Sequence, residues 1–436
     1  MLSAAGDLDT TFGIGGKLLS QALPFRPTAI AMQPDGKFVA VGKFDTDFAI
    51  ARVNPDGRLD LSFGKGGGMA TTDFGGNRGD TAKGVAIQPD GKIVVVGHRA
   101  NGASTIFGDP GQMAVARYNA DGSLDKTFAK TGKEVIHLNT NSGEKAEAVA
   151  LQPDGKIVIA GTGNAGAFSN SDFEIVRLNP DGTADRSFGS NKGAHRVGMG
   201  SDKDAAFVVK IAPDGRIVVG GENSNTIEAS RSGTTWEILR LTKNGKDDTT
   251  FGKNGQVTVG GVGASLRDLA INPSDNSVVA VGESNENFMV ERLNANGKPD
   301  SSFNHVGRAI TDIFRGRDSA HTVQFMDRGR ILVSGTSGGN SAMVMYRANG
   351  ALDTTFGNQG MVVQDLGGRD IISNTRLTPD GKILATGVNH LGQIVQGRFL
   401  LKPTINPNIG LGGLTFVPRA MSRLFSDRSI DDAIQL

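Results

Sequence analysis

The chain has 436 residues, 46 Lys+Arg against 45 Asp+Glu, 38% hydrophobic residues, 62 Gly, 15 Pro and no Cys. That length allows two or three ordinary domains or one large repeat assembly, and the apolar fraction is enough to build cores, so the chain is not disordered. The lack of Cys excludes a disulfide framework, a Cys-ligated zinc and a thiol nucleophile, while a net charge of +1 offers no basic face to nucleic acid or an anionic membrane. No apolar stretch reaches the roughly 18–20 residues of a membrane helix. The start, Met1-Leu2-Ser3-Ala4-Ala5-Gly6, lacks the charged head and apolar core of a signal peptide. The expected location is secreted or cell-surface, with an export signal outside this sequence; the cytoplasm is the alternative.

In chain order, the first element is a linker, Leu8-Asp9-Thr10-Thr11-Phe12-Gly13, followed by a short strand at Lys17-Leu18-Leu19-Ser20. Ala29-Ile30-Ala31-Met32 and Phe38-Val39-Ala40-Val41 then flank Pro34-Asp35-Gly36-Lys37, a type I turn with Gly in the left-handed position of a bulge. Phe48-Ala49-Ile50-Ala51-Arg52-Val53 is a further strand and ends in a second turn, Asn54-Pro55-Asp56-Gly57. The linker then reopens, and the order returns along the chain. Asp-x-x-Phe occurs seven times, at Asp9/Phe12, Asp60/Phe63, Asp125/Phe128, Asp185/Phe188, Asp248/Phe251, Asp300/Phe303 and Asp353/Phe356, 51 to 65 residues apart. The Pro-Asp-Gly turn recurs at Pro89, Pro153, Pro213 and Pro379, with degraded forms at Pro273-Ser274-Asp275-Asn276 and Met326-Asp327-Arg328-Gly329.

Each copy offers about four antiparallel strands and no helix. Four-stranded units repeated in this way predict an all-β fold, a seven-bladed β-propeller of four-stranded antiparallel blades spanning residues 6–402. The last copy ends at Gly397-Arg398-Phe399-Leu400-Leu401, where its linker is missing. The N-terminal linker is expected to complete that blade and close the ring by N-terminal/C-terminal complementation. An open solenoid with exposed ends is the alternative. Residues 403–436 fall outside the repeat. Pro403, Pro407, Gly410, Gly412 and Gly413 predict a loop, and Arg419-Ala420-Met421-Ser422-Arg423-Leu424-Phe425 a short amphipathic helix.

With these residues laid out, the chain resembles the delta-60 repeat family of bacterial β-propeller proteins over roughly residues 6 to 402. The resemblance rests on Leu-Asp-x-x-Phe-Gly-x-x-Gly alternating with Gln-Pro-Asp-Gly-Lys-Ile-Val-Val-x-Gly. It implies a propeller, often within large exported or surface proteins, and it implies no shared reaction, ligand or catalytic residues. Copies five and six depart from the pattern at Asp275-Asn276 and Asp327-Arg328, where the flanking alternation still predicts blades.

The repeated Phe is expected in the core between blades, and the Asp three residues earlier is expected to cap the turn. Arg recurs before the linker at Arg52, Arg117, Arg177, Arg240, Arg292 and Arg398, with Met345 breaking the series. Its identical placement favours pairing with a linker Asp at a blade junction over a cationic ring around a channel. Asn54/Asp56/Asp60 and Asn179/Asp181/Asp185 place oxygens at calcium-like spacing, but a tight turn explains them without an ion. No cofactor is therefore expected, with calcium as the alternative. Gly335-Thr336-Ser337-Gly338-Gly339 matches Gly-x-Ser-x-Gly, yet that elbow needs a strand-to-helix turn, and here it lies in a short hairpin. His98, His137, His195, His305, His321 and His390 show no metal-site spacing, and Arg78-Gly79-Asp80 is an isolated tripeptide.

One asymmetry rises above the repeat. From the Gly that closes one strand to the Arg position of the next, copies one, five, six and seven span 10 to 11 residues: Gly42 to Arg52, Gly282 to Arg292, Gly335 to Met345, Gly387 to Arg398. Copies two, three and four span 16 to 20: Gly97 to Arg117, Gly161 to Arg177, Gly221 to Arg240. Insertions at one hairpin of three consecutive copies cluster on one side of one face, and repeat proteins place function in such loops. They carry the candidate ligand-binding residues His98, Arg99, Phe107, Asp109, Phe168, Asp172, Glu222, Glu228, Arg231 and Trp236. An exposed aromatic among carboxylates suits a glycan or protein ligand; if Trp236 packs onto its own strand, the loops are decoration. The expected function is a monomeric binding propeller with a glycan or protein partner, no nucleic acid and no membrane insertion. A hydrolase or lyase using His98, Asp109, Glu222 or Glu228 is the alternative, and a structural spacer is the second.

Overall fold

The computed structural model describes residues 4–75, 79–100, 111–136, 143–164, 171–189, 193–199, 203–224, 234–259, 265–313, 316–367, 370–378 and 380–402. The C-terminal extension at 403–436, with the helix expected at 419–425, lies outside the described residues. Among them, a 3-10 turn at Asp327–Gly329 is the one helical element, and no helix is long and apolar enough to cross a membrane.

An N-terminal strand, β1 (Lys17–Ala22), precedes four-stranded antiparallel units that follow one another along the chain. The first comprises β2 (Pro27–Met32), β3 (Phe38–Phe44), β4 (Asp47–Val53) and β5 (Met69–Thr72). Next come β6 (Thr81–Ile87), β7 (Ile93–Arg99), β8 (Gln112–Tyr118) and β9 (Lys133–Ile136). The third unit is β10 (Glu144–Leu151), β11 (Ile157–Asn164), β12 (Ser171–Leu178) and β13 (Ala194–Val197). A single parallel pair, Ser171 with Lys203, joins it to β14 (Lys203–Ile211), β15 (Ile217–Ser224), β16 (Thr234–Leu241) and β17 (Gln256–Val259). Then follow β18 (Ser265–Ile271), β19 (Val278–Ser284), β20 (Asn287–Leu293) and β21 (Arg308–Thr311). β22 (Asp318–Phe325), β23 (Ile331–Ser337), β24 (Asn340–Tyr346) and β25 (Met361–Gln364) come after them. The last sheet has three strands of its own, β26 (Asp370–Leu377), β27 (Ile383–Asn389) and β28 (Gln393–Phe399), and β1 pairs with β28 to supply the fourth. The hairpins expected at the degraded turns of copies five and six both form, as β18–β19 and β22–β23.

Neighbouring units cover both faces of each sheet, so β3, β4, β7 and β8 read as near-continuous apolar runs. Val39, Val41, Phe48, Ile50 and Phe63 pack with Ile93, Val95, Ala114, Ala116 and Tyr118 of the next unit in one core. Phe25, Ile30 and Phe38 share a core with Leu384 and Ile394, so the first and last sheets meet. The architecture is that of a β-propeller.

The repeated Arg, Asp and Phe make a staple at the junctions. Arg52 donates from Nε to Asp60 (2.7 Å), lies 4.7 Å over the Phe63 ring, and reaches with Nη1 the Ala120 carbonyl in a turn of the next unit. Arg117 repeats this with Asp125, Phe128 and the Pro180 carbonyl, and Arg177 with Asp185, Phe188 and the Lys243 carbonyl. Arg240 does so with Asp248, Phe251 and the Ala295 carbonyl. The series is thus consumed by blade junctions. In copy six Met345 is buried, and Asp353 takes its cation from Arg330 (3.2 Å) on the neighbouring hairpin turn. Arg398 closes the series across the chain ends, on Asp9 (2.6 Å) and over Phe12 (4.8 Å). Backbone bonds reinforce the joints: Gly64 N–H donates to the Asp121 carbonyl (2.8 Å). At the last joint Gly357 N–H donates to the Ala5 carbonyl (2.7 Å), where the N-terminal segment replaces the turn. Gly122 stands in such a turn at φ +85°, and a Cβ there would lie 2.8 Å from the Phe63 ring, so backbone and space both demand glycine.

Burial opposes the charge of Asp9, Asp60 and Asp185. Hydrogen bonds from a lysine and a hydroxyl, with the arginine's field, outweigh it and hold all three well below the ordinary carboxylate range. Asp56 and Asp181 cap their own turns, accepting the N–H of Arg58 (3.0 Å) and Thr183 (2.9 Å). The carboxylates of Asp56, Asp60, Asp181 and Asp185, spaced like calcium ligands, are engaged in turns and ion pairs.

Candidate functional site

The first strand of every unit carries a β-bulge at one place. The register shifts between Pro27/Ala29, Ala82/Gly84, Ala146/Ala148, Ala206/Val208, Leu266/Asp268, Ala320/Thr322 and Ile372/Asn374. A bulge re-aims the side chain of its extra residue. Those residues are Thr28, Lys83, Glu147, Phe207, Arg267, His321 and Ser373. A cavity of about 320 Å³ is lined by all of them except Lys83, which lies 3.8 Å from Glu147. The first strands therefore surround a central channel, and the fourth strands form the rim. The staple positions keep one residue type in all copies but one, where Met345 replaces the arginine; this one carries a hydroxyl, an ammonium, a carboxylate, an aromatic ring, a guanidinium, an imidazole and a second hydroxyl.

Two further cavities open beside the channel. One of about 470 Å³ is lined by Arg267, Glu283, Arg317, Ser319, His321 and Thr336, and one of about 530 Å³ by Arg26, Arg317, Asp370, Ile371, Asn389 and His390. They share Arg317, Thr336, Gly339 and Ile371, and the first shares Arg267 and His321 with the channel, so the three make one groove. Its walls are the beginnings of inner strands and the tips of the β19–β20, β23–β24 and β27–β28 hairpins. That is the face opposite the Pro-Asp-Gly turns. The hairpins are short here, and the mouth is open.

Arg317 forks onto Glu283 through two 3.0 Å bonds, which neutralises both. Arg26 and Arg267 are exposed and make no hydrogen bond or ion pair among the described residues. His321 is half-buried; burial first, then the Arg267 charge, push its imidazole down to about 4. It is neutral at neutral pH, with one N–H to donate and one nitrogen to accept. Burial pushes the Asp370 carboxyl up to about 6, although the Leu366 N–H (2.7 Å) favours its charged form. In the two cavities beside the channel three guanidiniums stand against two carboxylates, while the channel itself adds Lys210 against Glu147 and Asp268.

Asp370 belongs to a second repeated series, separate from the staple aspartates. Asp80, Asp204, Asp318 and Asp370 are buried three residues before the bulge and accept the N–H of Phe74, Met199, Ile313 and Leu366 from the incoming loop. Glu144 holds the same place. An acid at a fixed offset before the inner strand is the sequence signal for this series.

The residues singled out on the long hairpins fare differently. Phe107, Asp109, Phe168, Glu228 and Arg231 lie outside the described residues. His98 and Arg99 end β7, Asp172 stands on β12 and Glu222 on β15, all half-buried, on successive units. None of them lines the three cavities above. Glu222 comes nearest: burial pushes its carboxyl up, while Ser265, the Leu266 N–H and the Arg267 charge favour its ionised form. Trp236 corrects the expectation of an exposed aromatic. It is fully buried, packed with Val208, Leu266, Leu269 and Met289, and a Cβ on Gly282 would touch its ring at 2.9 Å. Trp236 sits four residues before Arg240, the place that Phe48, Phe173 and Phe288 hold before Arg52, Arg177 and Arg292. It is a core position of the repeat, and the insertion ahead of it disguised the register.

Comparison with known proteins agrees with the repeat. A family described as a domain of unknown function (DUF5122) beta-propeller matches residues 33–63, 88–128, 152–188, 212–251 and 274–303. Each match ends on the staple phenylalanine, and the chain carries β-propeller repeats. No curated protein sequence matches the chain. Among solved structures it is similar to the Dos1 propeller (11% identity, 88% of this chain and 96% of that one, TM-score 0.48). It is also similar to virginiamycin B lyase from Staphylococcus aureus (12% identity, 73% and 94%, TM-score 0.39). A third is the extracellular domain of a proposed one-component system from B. thetaiotaomicron (13% identity, 87% and 39%, TM-score 0.45).

Proposed function

We propose that the chain is a seven-bladed, ligand-binding propeller of the delta-60 repeat type, with its site in the groove beside the channel. The row of bulged residues carries this reading: the residues that hold the ring together repeat, and those that face the channel do not. A scaffold gains nothing from seven different side chains at one position, whereas a binding surface is built from such differences. The cavities of about 470 and 530 Å³ fall within the range of about 300–1,000 Å³ usual for small-ligand sites. The strand ends that carry the long hairpins of copies two to four lie on the same face, so a glycan or protein ligand stays within the proposal. Binding is favoured over hydrolysis because Glu283, the carboxylate beside His321, is tied up by Arg317.

The test is a melting screen of the wild type and Ile371→Trp against a panel of glycans and peptides. Ile371 is exposed and lines both cavities, so the indole fills them without entering a core. A ligand at a hundred times its Kd adds about 2.7 kcal/mol to the native state. A shift seen in the wild type and lost in Ile371→Trp supports the groove. A shift that survives Ile371→Trp and disappears when the long hairpins are trimmed moves the site to copies two to four. No shift from any ligand leaves the structural spacer.

A further inference from the structure

With the groove as the binding site proposed above, the charges on its walls narrow the ligand. We propose that the groove takes an acidic oligosaccharide, with one carboxylated sugar in each of the two cavities. Each cavity contains one exposed guanidinium without a partner among the described residues, Arg267 in the first and Arg26 in the second. Such a group is a planar fork ready for a carboxylate. Arg317 stands in both cavities, already neutralised by Glu283. Asp370 is buried in the wall of the second cavity, and Glu222 lies within the field of Arg267. Two exposed guanidiniums without a hydrogen bond or ion pair among the described residues, one on either side of the neutralised Arg317–Glu283 pair, suit an anion that repeats along a chain, as in a polyuronate, rather than one compact anion.

The rest of the lining speaks for hydroxyl groups. Ser319 and Thr336 face each other across β22 and β23, and neither side chain hydrogen-bonds another protein group among the described residues. His321 adds a donor and an acceptor. Ile371 is the one exposed apolar side chain lining these two cavities among the described residues, enough to underlie one face of a sugar ring and too little for the apolar anchors of a peptide; Phe207 is exposed in the channel beside them.

The experiment is titration calorimetry of the full chain with trigalacturonate, maltotriose, triglutamate and inorganic phosphate. Trigalacturonate should bind, at least about tenfold more weakly in Arg26→Gln and in Arg267→Gln, and more weakly as salt rises from about 50 to about 500 mM. Lys253→Gln, an exposed charge elsewhere, should change nothing, and maltotriose and phosphate should give no heat. Both arginines are exposed and unpaired, so the variants should melt with the wild type. No heat with trigalacturonate overturns the proposal, as does binding indifferent to both arginine variants. Triglutamate binding as tightly, with the same dependence on both arginines, overturns the sugar class. A neutral glycan or peptide that Ile371→Trp displaces, and that neither arginine variant weakens, overturns the acidic ligand while leaving the groove standing.

Discussion

Asp185→Ala tests whether the staples or the apolar cores hold neighbouring blades together. The carboxylate accepts Arg177 Nε at 2.8 Å and Lys156 Nζ at 3.1 Å, and its other oxygen accepts the N–H and hydroxyl of Ser187. Arg177 is 2% exposed, so the substitution leaves a guanidinium with the Lys243 carbonyl, Gln152 and the Phe188 ring but no counter-charge, while Lys156 can turn to water. Removing one partner of a buried pair costs about 3–5 kcal/mol, against about 0–1 for a surface pair. If about 400 residues unfold together at about 2.1 cal/mol/K each, the melt should fall by about 4–6 °C. Arg177→Met with Asp185→Ala should lose at least about 2 kcal/mol less than the two single changes summed, since no charge is left stranded. Copy six already holds a buried Met345 at that place. Because the folded-state acidity of Asp185 is increased, its contribution is present above the unfolded value near 3.9 and is lost as pH falls through the folded one. The gap between wild type and variant should therefore persist from neutral pH to about pH 5 and shrink below about pH 4. A loss under about 1 kcal/mol at neutral pH, or a double variant equal to the sum, would refute the staple as a cohesive element.

Three further expectations are as direct. Gly122→Ala should destabilise by at least about 1 kcal/mol more than Gly66→Ala in urea melts, because both have positive φ but only Gly122 meets a phenylalanine ring. Removing residues 1–22 strips β1 from β28 and Asp9 from Arg398, and light scattering should then show self-association through the bared edge. Asp370 has a folded-state value of about 6 against about 3.9 unfolded, so its favourable share is complete below about pH 4 and lost as pH rises through 6. Asp370→Asn should accordingly raise stability at pH 8 by about 1–2 kcal/mol and do little at pH 4, as read from melts at both values.

The sequence was legible where each residue answers to its own copy in the next repeat. Asp60, Phe63 and Arg52 recur in step, and the structure joins them as the spacing suggests. The groove proposed as the site was not legible by the same route. Loop length drew attention to copies two to four, while the groove lies over copies five to seven and one, where short hairpins leave space. Absence of a loop makes no motif. Arg267 and His321 carry a signal visible only once the bulge aligns them with Thr28, Lys83 and Ser373, and a bulge is a register shift between strands that one strand's pattern does not reveal. Trp236 misled because rarity was mistaken for exposure, although its offset from Arg240 matches three core phenylalanines.

The strand that completes the last sheet comes from the opposite end of the chain, and this orders events during synthesis. Ser20 Oγ accepts the N–H of Ile394, 374 positions away. At about 5–20 residues per second a ribosome needs roughly 20–75 s to make the second partner after the first. Units two to six can gain their neighbours as they emerge, but β1 must wait through that interval with an unsatisfied edge. Whatever shields β1 on the ribosome, chaperone or simple solubility, decides the yield of closed rings. Substitutions at Leu18 or Leu19 should therefore change how much protein is recovered more than how stable the recovered protein is.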